Sequence, residues 1–166
     1  MTVSSLRTLE PKLFDQRKAK HLLQRAGFGG TSQQAQALAD MGIEKAVDFI
    51  VNYENVADPD PPSPEDYDKD IIRPASASER NTIKNARENG NESIVDMYRK
   101  ERQRRQRLDR KQITEIERWW LQRLATTPRP LEEKLTLFWH GHFATGYRTI
   151  ENSYHMYLQN IFFREN

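Results

Sequence analysis

Two of the four histidines in this 166-residue chain, His140 and His142, stand one glycine apart in FWHGHFATG, residues 138–146. Imidazole binds transition metals and exchanges protons near neutral pH, which makes this pair the first candidate for chemistry. A zinc site takes three or four protein ligands. His155 is the third candidate for a divalent metal, with Glu133 or Glu151 as a carboxylate. Spacing limits this reading. Residues i and i+2 of an α-helix lie about 200° apart, so both histidines reach one ion only if the helix ends at Gly141. Glycine allows such a break. In an unbroken helix over 130–143, His142 shares a face with Leu131, Leu135 and Phe138, and His140 points the other way, toward Glu133 and Thr136. Packing is then the simpler role. His140 suits the negative end of a helix, and His142 rests beside Phe138 and Phe143. A metal-free acid–base or ligand-binding role is the remaining alternative.

A second candidate is RKERQRRQRLDRK, residues 99–111, with eight basic and two acidic side chains, a net of +6. Arg99, Lys100, Arg102, Arg104, Arg105, Arg107, Arg110 and Lys111 could neutralise phosphates along a nucleic acid. They surround the whole helix, however, with no interleaved aromatic residue and no base-reading motif. A solvated helical arm accounts for them better. The glycines of RAGFGG lack the preceding strand and following Lys-Ser/Thr of a phosphate loop, so they read as a corner between helices.

These groups must be positioned by helices. Asp15 can cap a helix over about 16–26, with Ala19, Leu22, Leu23 and Ala26 on one face, and Gly27 is expected to end it with a positive φ. Thr31 and Gln34 have capping-box spacing for a second helix. Ile43, Ala46, Val47, Ile50 and Val51 form the stripe of a third. From Glu54 to about Ala77, five prolines forbid a continuous helix, and residues 54–70 carry a net charge of −6. This is an extended linker or long surface loop, and it is a candidate to pair with the +6 run. Helix returns at Glu79, breaks near Gly90 and continues over about 92–125, ending in the stripe Ile113, Ile116, Trp120 and Leu124. Trp119 and Trp120 cannot both face one core. Pro130 fits the first turn of the next helix, and the last helix, about 152–164, places Tyr154, Tyr157, Leu158, Ile161 and Phe162 together. No strand and no repeat is found. The class is all-α, organised as helices in 1–53, the acidic linker 54–78, the basic arm 79–112 and a helical segment 113–166 that holds WHGHF.

Composition narrows the rest. With 26 basic and 24 acidic residues the net charge is +2, so no global field marks a nucleic-acid binder. The chain has no cysteine, which excludes disulfides and thiolate chemistry. A mean hydropathy of −0.90 and 30% charged residues imply that part of the chain is solvated. No apolar run approaches the roughly 18 residues of a membrane span. MTVSSLRTLEPKLF shows no export signal, so a cytoplasmic location is the default.

Two stretches, KAKHLLQRAGFGGTSQQAQAL and WWLQRLATTPRPLEEKLTLFWHGHFATG followed by MYLQNIFFRE, resemble the bacterial family catalogued as domain of unknown function 1800. The resemblance covers about residues 17–53 and 118–165, with the acidic and basic segments between as a variable insertion. It implies an N-terminal part of a longer helical domain. It carries no mechanism, and it makes WHGHF a family signature, compatible with packing or chemistry alike. The leading expectation is a non-catalytic helical scaffold or interaction region, its partner being the rest of its domain or another protein. The alternative is part of a metal-dependent or histidine-based enzyme using His140, His142 and His155. Nucleic-acid binding through 99–111 ranks last.

Overall fold

Helix starts in this protein are fixed by side chains that satisfy the free N–H groups of a first turn. Asp15 accepts from the Lys18 N–H at 2.8 Å and opens α1, Gln16–Ala26. Thr31 and Gln34 form their reciprocal box and open α2, Ser32–Met41. α3, Ile43–Val51, follows Gly42 directly. A second box, Ser76 with Glu79, opens α4, Ala77–Glu88. Next come α5, Glu92–Thr126, and α6, Pro130–His142. α7 is one turn, Tyr147–Ile150, which the periodicity does not announce, and α8 is Ser153–Glu165.

The computed structural model describes residues 8–143 and 146–166. Among them the regular elements are these eight helices and two short 3₁₀ turns, with no strand. The protein is all-α, as its periodicity requires. Residues 1–7, part of the stretch read for an export signal, and Ala144 and Thr145 of WHGHFAT lie outside the described residues. No helix among the described residues is long and apolar enough to cross a membrane.

The chain forms two compact units, each assembled from two separate stretches. The first contains Met1–Pro61 and Leu121–His142; the second contains Pro62–Trp120 and Phe143–Asn166. In the first, α1, α2 and α3 meet through Ala19, Leu23, Ala35, Leu38, Ala46 and Ile50, all buried, with Leu131 of α6 against them. Three of these are alanines, so the helix backbones approach closely. Val47 and Val51 of α3 are exposed, although they belong to the predicted stripe.

Gly27 ends α1, but not by the expected positive φ; its φ is −150°. The requirement is space. A Cβ on Gly27 would lie 2.7 Å from Pro130 Cβ and 3.1 Å from the Leu23 carbonyl oxygen. Beside it, Lys134 of α6 donates to the Gln24 and Gly27 carbonyls at 3.0 and 2.8 Å. A lysine thereby caps the end of α1, where carbonyls lack helical partners.

The second unit is built on Ile113, Ile116, Tyr157 and Ile161, flanked by Tyr67, Trp119, Tyr147 and Met156. Trp119 meets Tyr157 edge-on at 5.4 Å and carries the Arg164 guanidinium 5.7 Å over its ring. The proline-rich stretch stays irregular between Asn55 and Ala77 and is tied to the helices around it. Tyr157 Oη donates to Asp66 at 2.6 Å and accepts from the Ser63 N–H at 3.1 Å. The Asp68 N–H donates to Gln112, and Ile71 is buried. Burial, then the hydrogen bond to Asp66, raises the Tyr157 phenol above its ordinary range.

Candidate functional site

The helix bearing the histidine pair is turned inside out. α6 buries Glu132, Glu133 and Thr136, whereas Leu135, Leu137 and Phe138 are 39%, 42% and 56% exposed. A helix normally buries its apolar stripe, and the reversal has an electrostatic cause. Arg123, at the end of α5, is itself buried and donates through Nε to Glu133 at 2.6 Å. Its other nitrogens bond Asp58, the Asp60 carbonyl and Glu132. Arg129 adds a bond to Glu132 at 3.3 Å and one to the Val56 carbonyl at 2.6 Å. Glu133 is fully buried, and a carboxylate in that position needs a paired, hydrogen-bonded cation.

The groups tune one another. Burial alone would lower the Arg123 pKa, but its bonds to Asp58 and Glu133 outweigh that and raise it. Burial alone would raise Asp58, but the Arg123 hydrogen bond and the Asp60 N–H bring it below its ordinary value. This cluster was missed in the sequence, although one signal was present: Arg123 lies seven residues beyond Ile116, on the same stripe of α5.

α6 continues through Gly141 to His142. The condition for joint chelation, a helix end at Gly141, is not met. His140 is half-buried in the last turn, and His142 is exposed. The His142 ring stacks on Phe138 at 5.9 Å and meets Trp139 edge-on at 5.8 Å. Glu133 is committed to Arg123. His155 is exposed on α8 in the second unit, its N–H bonded to the capping Asn152. Among the described residues no group of three or more His, Cys, Asp or Glu side chains is placed to hold a metal ion.

The basic run lies on α5 in the second unit. Its ion pairs are with its own helix rather than with residues 54–70: Arg99 with Asp96, Arg104 and Arg105 with Glu101, and Lys111 with Glu115. Lys100 and Arg107 are exposed. Arg102, Arg105 and Arg110 share the wall of a cavity of about 800 Å³. Asp109, fully buried within the run, accepts from Tyr147 Oη at 2.6 Å and from the Ser153 N–H and Oγ at 2.8 and 2.6 Å. That aspartate was counted only as charge in the sequence; its structural part is to hold α7 and α8 to α5.

A family model described as "Protein of unknown function (DUF1800)" matches residues 21–166. Neither a curated protein nor a solved structure matches the chain.

Proposed function

Since this chain belongs to the DUF1800 family, a family of unknown function, we propose that it is a non-catalytic helical scaffold whose α6 docks an apolar helical segment of another polypeptide. The observation behind this reading is the reversed polarity of α6, with Leu135, Leu137 and Phe138 outward. Fully burying a Leu or Phe side chain yields about 1.5–3 kcal/mol. These three, already partly covered, would gain about half of that each on docking. The stacked Phe138–His142 pair extends the face and leaves a polar imidazole at its rim.

The test is a photo-crosslinker, p-benzoylphenylalanine, in place of Phe138 in the cells that make the protein. The expected result is an adduct mapped to an apolar helical stretch of one polypeptide. It disappears with Leu135→Glu/Leu137→Glu, whose helicity matches that of the parent. Irradiation without a protein adduct, or an adduct that survives the double substitution, overturns the reading.

A further inference from the structure

The cavity in the second unit rests on observations separate from the α6 face. Its walls come from residues 72–75, α4, α5 and α7. Two arginines of the lining are already neutralised. Arg73 holds Glu79 through two bonds of 2.8 and 2.7 Å, and Arg105 pairs with Glu101 at 3.0 Å. The Arg73 guanidinium and the Ser76 N–H bring Glu79 down to about 2, and Arg104 and Arg105 do the same for Glu101. Both carboxylates are thus fixed as anions within the wall. Asp109 is saturated by its three donors.

What is left over is mostly basic. Among the described residues, Arg102, Arg110 and Arg148 line the cavity with no carboxylate in ion-pair range, against one unpaired acid, Glu151. Asp109 is held only by neutral donors and keeps its charge, so the lining as a whole carries a net of one positive charge. The remaining lining includes Ile72, Ile83, Ile150 and Tyr98, an apolar and aromatic surface. A volume near 800 Å³ falls in the range of small-molecule sites and far exceeds a bare inorganic ion.

We propose that this cavity binds a small phosphate monoester with an apolar body, its head held by Arg102, Arg110 and Arg148 and its body lying against Ile83, Ile150 and Tyr98. Arginines favour such a head, because each guanidinium presents a planar fork of donors that matches phosphate oxygens. A monoester carries about −1.5 to −2 charge near pH 7 and three strong acceptor oxygens, more of both than a single carboxylate offers to three arginines. The arrangement of α7 supports the head group. Asp109 fixes Tyr147, which sets the adjacent Arg148 without drawing on its charge. The Arg73–Glu79 pair fixes another part of the wall by its two bonds.

The test is calorimetric titration of the full chain with phenyl phosphate at low ionic strength in a phosphate-free buffer. Saturable binding is expected, at least tenfold tighter than inorganic phosphate or succinate. Arg102→Ala and Arg148→Ala each weaken it tenfold or more, and both side chains are exposed, so folding is retained. Arg99→Ala and Lys111→Ala, on the same helix with pairs to neighbouring acids, leave it unchanged. Ile83→Ala lowers phenyl phosphate affinity without altering that for inorganic phosphate. Absence of saturable binding overturns the assignment, and so does equal loss in the control substitutions. Succinate binding as tightly as phenyl phosphate would overturn the phosphate head.

Discussion

Arg123 is the cation around which the buried charge of the first unit is balanced. Removing it strands Glu133, which has no exposed surface, and Asp58, whose side chain is 9% exposed. Breaking a buried pair from one side costs about 3–5 kcal/mol. Arg123→Ala is therefore expected to lower stability by about that much, read from urea denaturation followed by circular dichroism; a loss under about 1 kcal/mol would show that Arg129 takes over. The same cluster gives a pH dependence. The Asp58 carboxyl is depressed below its ordinary 3.8 in the folded state, so the unfolded chain binds its proton more readily. Its stabilisation is complete above that ordinary value and disappears as pH falls through the lower folded one. The denaturation midpoint should drop between pH 5 and pH 3 in the parent and drop less in Arg123→Ala.

Helices set a different kind of constraint, that of close approach. α1 and α6 touch where Gly27 faces Pro130, and the pyrrolidine ring cannot rotate away from an added methyl group. Gly27→Ala is expected to cost about 1–3 kcal/mol, the usual penalty of overpacking, even though its φ of −150° is open to alanine. Gly29→Ala, at a φ of 98° with no atom near its would-be Cβ, tests backbone strain separately. At this level the sequence was legible wherever the cause was local. Asp15 with Lys18 and Thr31 with Gln34 are three residues apart, so the starts of α1 and α2 could be read directly. The break at Asn89–Asn91 and the proline at the first turn of α6 were equally visible. The inward face of α6 was not, because its stripe of Leu135, Phe138 and His142 has the right period and the wrong destination. What reverses it is Arg123 together with Asp58, ten and more residues away in the chain, and periodicity does not report such pairings. For the same reason the fixed histidine spacing was legible while the surroundings that decide its use were not. The basic run showed its charge but not that Arg102 and Arg110 line one cavity with Arg148, which stands on a turn of helix the sequence did not reveal.

On the scale of the molecule, neither unit is a continuous piece of chain. The first takes its core from residues near 19–50 and its counter-charges from 123–133; the second joins 109–119 to 147–161. Disturbance should therefore spread within a unit before it reaches the other. Asp109→Ala removes the acceptor for Tyr147 and Ser153 and is expected to speed hydrogen exchange over 147–165 while 16–51 keep their protection. A uniform rise along the chain would mean that the two units open as one. The Lys134 bond to the end of α1 has a consequence for reactivity. An ammonium group engaged by two carbonyls and lying 5.9 Å from the Phe28 ring is a poor nucleophile. Amine-directed labelling of the native protein should leave Lys134 until last, and a lysine acetylated before folding would reach that position without its charge and with one N–H donor for two carbonyls. Its labelling rate would then report, from a single side chain, whether two stretches more than a hundred residues apart have come together.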